Sequence, residues 1–260
     1  MDFNLLFDDK FFHHVNLTAI NEHGQASPIL LSVENILKNK IVRISLSVFE
    51  KLLGYLIALP VPIYSSLIFI LINNSRGLPN MWGMYLRAMY YRQKIGYMEP
   101  NVLIDQNVNF SFPKGVYLKS FSYIDKNVIF MASEVRIGRR VHIAANVFVS
   151  GGGKFIANDY AGVAPNCCII TATETLKSGS RAAGPMVSPV QRDVTRGTVV
   201  LEKDSFIGAA AVILTDVVIL EGSVVGAGCV ITKDTEPWKI YSTSRPKSIG
   251  KRKMNPHPSN

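Results

Sequence analysis

The sequence predicts a parallel β-helix built from six-residue units, and three observations carry that prediction. From Leu201 to Thr232 an aliphatic residue recurs every six positions, at Leu201, Ile207, Ile213, Ile219, Val225 and Ile231. The fifth place of each unit is small or β-branched: Ser205, Ala211, Val217, Ser223 and Cys229. The same beat is legible upstream from Ile104. Neither a helix of 3.6 residues per turn nor a strand of period two keeps this spacing. A unit of one short strand and one corner does, and it stacks the aliphatic side chains inward.

Taken in order, the units begin at Ile104, slip by two residues around Lys114 and Gly115, and resume at Leu118, Ile124 and Phe130. A one-residue adjustment leads to Ile137 and Ile143. Gly151, Gly152 and Gly153 then read as a short bulge, since a phosphate cradle would want a following helix. The phase returns at Ala157, Val163 and Ile169, and residues 173–198, rich in Gly, Ser, Pro and charge, read as a loop thrown out from the prism. Gly208, Gly226 and Gly228 fit close backbone approach. Pro237 ends the repeat, and Trp238 and Ile240 are expected to cover its last open edge.

Around this domain, 101–236, the chain divides into an extension of unclear structure (1–37), a helical and membrane-associating region (38–100), and a C-terminal cap with a basic tail (237–260). Leu52 to Ser75 contains no charged residue, long enough by count to cross a bilayer. Pro60 and Pro62 break it into two arms, and cations lie on both sides: Lys38, Lys40, Arg43 and Lys51 before, Arg76, Arg87, Arg92 and Lys94 after. The expectation is a re-entrant or interfacial anchor on the cytoplasmic face of a membrane, the alternative being buried or subunit-packing helices. A helix from about Met81 places Met84, Leu86, Met89 and Tyr90 on one face, with Arg87, Arg92 and Lys94 elsewhere.

At 260 residues and 48% hydrophobic composition the chain has material for a sizeable core. The net charge of +9 calls for an anionic partner. Six cations and no acid between Lys239 and Lys253 read either as a solvated basic tail or as a partner for the phosphates of a nucleotide-like cofactor or an anionic lipid surface. No nucleic-acid-binding motif is present. Three cysteines, two of them adjacent, argue against a disulfide framework. The mixed charged and apolar start argues against a cleavable signal peptide. His13 and His14 read as a surface pair, and no metal site is expected.

His142 is the one histidine of the repeat. Val141 and Ile143 point inward by strand alternation, so His142 points out, where an imidazole can serve as a general base near neutral pH. The bland alternative is a surface histidine with no role.

The run VHIAANVFVSGGGKFIANDYAGVAPNCCIITATET, with GPMVSPVQRDVTRGTVVLEKDSFIGAAAVIL and VVGAGCVITKDTEPWKIY, resembles the hexapeptide-repeat O-acetyltransferases that act on bacterial surface polysaccharides. The resemblance covers about residues 102–253. It implies a left-handed β-helix, a homotrimer with active sites between neighbouring subunits, acetyl-CoA as donor, and a glycan or lipid-linked glycan as acceptor. It also implies that His142 deprotonates the acceptor hydroxyl, with Glu174 orienting the imidazole or holding a sugar hydroxyl. Arg181, Arg192 and Arg196 would face the acceptor. Gly208, Ala209 and Gly226 would lie along the pantetheine arm, with Lys233, Arg245 and Lys247 near the CoA phosphates. The galactoside and maltose acetyltransferases place histidine where this chain has Glu174, and the family's Pro-Ala-Lys becomes Arg245-Pro246-Lys247. The competing readings are an N-acetyltransferase of an amino sugar nucleotide and a non-catalytic scaffold. A zinc carbonic anhydrase of this fold would need several histidines in the repeat.

Overall fold

The computed structural model describes residues 5–8, 10–14, 28–57, 80–175, 180–181 and 184–242. Among the described residues three helices, α1 (Pro28–Leu37), α2 (Lys40–Ile57) and α3 (Asn80–Lys94), precede 21 short strands. The strands form a left-handed parallel β-helix of three sheets. Sheet A stacks β1 (Tyr97–Met98), β4 (Val116–Leu118), β7 (Glu134–Ile137), β10 (Lys154–Ala157), β15 (Thr198–Leu201) and β18 (Val218–Ile219). Sheet B stacks β2 (Leu103–Ile104), β5 (Tyr123–Ile124), β8 (His142–Ile143), β11 (Gly162–Val163), β16 (Phe206–Ile207), β19 (Val224–Val225) and β21 (Ile240–Tyr241). Sheet C stacks β3 (Asn109–Phe110), β6 (Ile129–Phe130), β9 (Phe148–Ser150), β12 (Cys168–Ile170), β17 (Val212–Ile213) and β20 (Val230–Ile231).

Every aliphatic position of the six-residue beat, from Ile104 to Ile231, is buried. The intermediate places fill the gaps between the stacked columns: Val108, Val128, Val147, Cys167, Ala211 and Cys229 form one such column inside sheet C. Phe110 and Phe130 stack with ring planes 6° apart, so even the bulky members keep the one-above-another order.

The corners explain which residue types the turns accept. Between sheets B and C the residue at the bend has positive φ in every coil: Asn107, Asn127, Asn146, Asn166, Ala210 and Gly228. Asparagine tolerates that conformation better than most side chains. Here the four asparagines also form a ladder, each side-chain amide donating to the next at 3.0–3.1 Å. Gly228 is therefore required for its φ of 68° and not for close approach, because a Cβ there would meet open space. Gly208 and Gly226 do sit in close approach, with Val225 O at 2.7 Å and Tyr241 O at 2.9 Å from the missing Cβ positions.

The irregular lengths fall at the edge between sheets C and A. The two-residue slip at Lys114–Gly115, the glycine bulge and the long excursion after β12 all leave from that edge. The bulge is a folding device. Gly151 and Gly152 have φ of 104° and 77°, and Gly153 lies against Thr171 O and Gly197 O where no Cβ fits. The Gly153 amide donates to Thr171 Oγ1 at 3.0 Å, so it is not presented to a phosphate. The excursion folds as a hairpin, β13 (Ala172–Glu174) antiparallel to β14 (Val194–Arg196).

The two ends of the prism are closed in different ways. At the first coil α3 packs on β2 and buries Ala88, Met89 and Tyr91, and Leu6, Phe7 and Phe11 from the N-terminal extension join the same core. Arg87, off the apolar face that the sequence marks, is buried as well. Its Nε donates to Ile104 O at 2.9 Å and its guanidinium pairs with Asp105 at 3.3 Å, satisfying polar groups that the end of a sheet would leave exposed. At the last coil the expected covers turn outward: Trp238 is 69% and Ile240 79% exposed. The closing rung is main chain from β21, with Tyr241 packed on the core and Thr235 buried against Ser223 Oγ at 2.9 Å. Strand alternation makes this necessary, since Ile240 and Tyr241 face opposite ways.

Candidate active site

His142 opens β8 on sheet B, and its side chain projects from the prism, 53% exposed. It pairs in register with Tyr123 on the preceding coil and Gly162 on the following one. The Tyr123 ring lies flat beneath the imidazole, centroids 5.1 Å apart and planes 1° apart. Its Nε2 lies 3.9 Å from Asp125 Oδ2, an electrostatic pairing longer than a hydrogen bond. Asp125 Oδ1 is fixed by the Lys126 amide at 2.7 Å. The Tyr123 hydroxyl reaches Asp105 at 3.3 Å and Asp125 at 3.5 Å, and Asp105 is in turn held by Arg87. Burial, then the two neighbouring carboxylates, push the Tyr123 phenol well above its ordinary range, so it stays a neutral donor.

The imidazole forms part of the wall of a cavity of about 310 Å³. Phe11, Phe121 and Tyr123 give it aromatic walls, while Arg140, His14 and Asn101 supply polar groups. Arg140 stacks its guanidinium 4.9 Å above the Phe121 ring, and His14 meets the same ring edge-on at 5.9 Å. An exposed base, flat apolar faces and a fixed cation can hold a ring-shaped polar ligand bearing negative charge.

Of the other expected site residues, Glu174 lies in β13 and is gripped by Arg192, whose Nε and Nη2 stand 2.7 and 2.6 Å from Oε1. Glu174 Oε2 is buried with no hydrogen-bond partner among the described residues. Glu174 is thus absent from the immediate surroundings of the imidazole within one chain, where Asp125 stands instead. Arg181 and Arg196 are exposed on the same excursion, and Arg196 lies over Gly152. None of these residues lines the cavity at His142, because the excursion leaves the edge between sheets C and A. Gly208, Ala209 and Gly226 lie at the corner that follows sheet B, two and three coils beyond the strand that His142 opens. Lys233 is exposed. Arg245 and Lys247 lie outside the described residues.

Proteins similar to this chain narrow its meaning. The family model of the bacterial transferase hexapeptide (six repeats) matches residues 198–233. Over 154 residues the chain is 29% identical to a dTDP-4-amino-4,6-dideoxy-D-glucose acyltransferase of Escherichia coli, covering 58% of this chain and 80% of that protein. A variant of AntD, an N-acyltransferase from Bacillus cereus solved with dTDP and coenzyme A, is 28% identical with a TM-score of 0.55, over 62% of this chain and 87% of that one. A second AntD variant, solved with dTDP-4-amino-4,6-dideoxyglucose and coenzyme A, is 27% identical with a TM-score of 0.54, over 63% and 87%. Residues 198–233 thus carry the bacterial transferase hexapeptide, and the chain is similar to acyltransferases over at least four fifths of their length.

Three residues around His142 and its cavity escape a reading of motifs. Tyr123 and Asp125 stand one coil before His142, and writing LKSFSYIDKN above IGRRVHIAAN would have placed tyrosine over histidine. His14 comes from the N-terminal extension, whose contact with Phe121 no local pattern announces. Among the described residues no group of His, Cys, Asp and Glu is placed to hold a metal ion.

Proposed function

We propose that the chain transfers an acetyl group from acetyl-CoA to a sugar of a bacterial surface-glycan precursor, with His142 as general base. The observation that carries this reading is an exposed imidazole stacked on Tyr123 and approached by Asp125, on the wall of a cavity with aromatic faces and an arginine. With the Nε2 proton toward Asp125, Nδ1 is the basic nitrogen. It takes the proton of the acceptor hydroxyl as the oxygen attacks the thioester carbonyl. The C–S bond then breaks, and the sulfur leaves with the proton from the imidazolium. Phe121 and Tyr123 offer faces to a sugar ring or base, and Arg140 offers charge to a phosphate that carries the sugar. The relatives bind coenzyme A, and the corner at Gly208, Ala209 and Gly226 is the low-profile track on which the pantetheine arm would reach His142.

A homotrimer follows from the same reading. The excursion bearing Glu174, Arg181, Arg192 and Arg196 does not meet His142 of its own chain, and a second copy would supply it. The buried, unpartnered Glu174 Oε2 supports that arrangement, since an incoming sugar hydroxyl or neighbouring donor would satisfy it. Membrane-face location is proposed from the uncharged run 52–75 and its basic flanks. Most of that run, and Pro60 and Pro62, lie outside the described residues.

The second reading is acylation of an amine. The relatives at 27–29% identity act on, or are bound to, a 4-amino sugar joined to dTDP. The test is to incubate the purified chain with acetyl-CoA and dTDP-4-amino-4,6-dideoxyglucose or a 4-hydroxy sugar nucleotide, following free CoA and product mass. An alkali-labile product fixes the ester, an alkali-stable one the amide. His142→Ala is expected to lower the rate by about 10² to 10⁴. An unchanged rate would remove the mechanism.

A further inference from the structure

α2 is built inside out. Toward the protein it turns Ser47, Glu50 and Gly54, all buried: Glu50 accepts from Tyr85 Oη at 2.7 Å and from the Leu6 amide at 2.9 Å, and Gly54 lets the helix close on Gln93. Away from the protein it turns Ile41, Ile44, Val48, Phe49, Leu52, Tyr55 and Leu56, all exposed, with Ile41 at 75%, Leu52 at 62% and Tyr55 at 66%. Spacings of three and four residues put them on one continuous face. An ordinary surface helix buries its apolar stripe and shows its polar one.

Charge is sorted in the same sense. Between residues 28 and 57 the cations are Lys38, Lys40, Arg43 and Lys51, and the acids are Glu34 and Glu50. Both acids are buried, 6% exposed each, while Lys38 and Lys40 are exposed. The outer face therefore shows aliphatic and aromatic groups, with Lys40 exposed at its start and Lys38, paired with Glu34 at 3.3 Å, exposed beside it. Beyond Ile57 the sequence continues with no charge until Arg76. No described helix is long and apolar enough to cross a membrane.

We infer that α2 lies along the surface of an anionic bilayer, with its outer face in the headgroup boundary and its cations among lipid phosphates. A second copy of the chain would explain an apolar face, but it would not require both acids to be withdrawn from it; an anionic lipid surface does. This deepens the membrane-face part of the proposed function and is independent of which sugar is acylated.

The test is vesicle flotation of the full-length protein with phosphatidylcholine alone or mixed with phosphatidylglycerol. Wild type is expected to float with the mixed vesicles. The double variant Phe49→Glu, Leu52→Glu should lose binding by at least about tenfold, because charge is placed in the apolar face. Val230→Glu, equally exposed on sheet C, should float as wild type does. In a second measurement Leu52→Trp should gain fluorescence that brominated lipid quenches. Flotation of the double variant, or an unquenched Leu52→Trp, overturns the inference. So does wild type that ignores both vesicles while the double variant breaks a larger species into smaller ones in light scattering, which would assign the face to a second copy. Acyl transfer to a soluble sugar nucleotide is measured without vesicles, so failure here leaves the catalytic reading standing.

Discussion

The imidazole of His142 and the phenol of Tyr123 lie with planes 1° apart and centroids 5.1 Å apart, one coil above the other. A stack of that kind limits rotation of an exposed histidine, and Asp125, on the same coil as Tyr123, limits it further through its 3.9 Å approach to Nε2. Asp125 is thus a positioning residue, acting through His142. Asp125→Asn should lower kcat by about tenfold with little change in KM for acetyl-CoA, and should have no further effect in the His142→Ala background. Tyr123→Phe keeps the stack and loses only the hydroxyl, so it should fall less than Tyr123→Ala. Initial rates of CoA release for the five proteins decide it. Equal losses for Asp125→Asn with and without His142 would mean that the carboxylate works elsewhere.

Arg87 joins the helical region to the first coil through Ile104 O and Asp105. Burial lowers its pKa, opposed by Asp105, yet a guanidinium remains charged throughout the accessible range. Arg87→Leu would leave the Ile104 carbonyl without its side-chain donor and the partly buried Asp105 without its ion-pair partner, so a loss of about 3 kcal/mol is expected. Urea unfolding of the variant should show it. A midpoint shift equal to that of an exposed control such as Lys126→Leu would refute the role of Arg87 as a clamp.

Residues differ in how far sequence exposes their role. Ile207 or Val225 is legible because an inward place is filled by the same residue class in every coil, so the period repeats the constraint. Asn107, Asn127, Asn146 and Asn166 follow the aliphatic place by three residues each time, so their ladder was equally readable once coils are aligned. Arg87 could not be read, since helix periodicity says nothing about a carbonyl waiting on the neighbouring β-helix. The position of His142 on an outward face was legible; its distance from Glu174 was not. That distance depends on which edge the excursion leaves, and the edge emerges only when three sheets close.

The glycine at 208 separates fold from cofactor binding. A Cβ there would stand 2.6 Å from Ala227 N and 2.7 Å from Val225 O, both main-chain atoms that cannot step aside. Gly208→Ala should therefore destabilise the chain by about 1–3 kcal/mol whatever its effect on the donor. Lys233→Ala, on an exposed side chain, should leave the melting temperature unchanged and raise KM for acetyl-CoA if the ammonium meets a CoA phosphate. Calorimetry beside kinetics distinguishes the two. An unshifted melt for Gly208→Ala would show that the coils there have slack.

Glu50 makes the docking of α2 pH-dependent in a stated direction. Desolvation by burial raises its carboxyl pKa above the ordinary value of 4.5, and the bonds from Tyr85 and the Leu6 amide offset part of that rise. A carboxyl with a raised folded pKa binds more protons folded than unfolded in the window between the two values. Folding stability therefore increases as pH falls through the folded pKa, and this contribution levels off below the unfolded value. Glu50→Gln removes the charge while its amide can still accept from the Leu6 N–H and donate to Tyr85 Oη. It should be more stable than wild type at pH 8 and should converge on it near pH 4. Glu50→Ala, which loses both bonds, should be less stable at either pH. Urea midpoints of the three proteins across that range test the sign, and a Glu50→Gln protein less stable at pH 8 would mean that the carboxylate charge itself holds α2 in place.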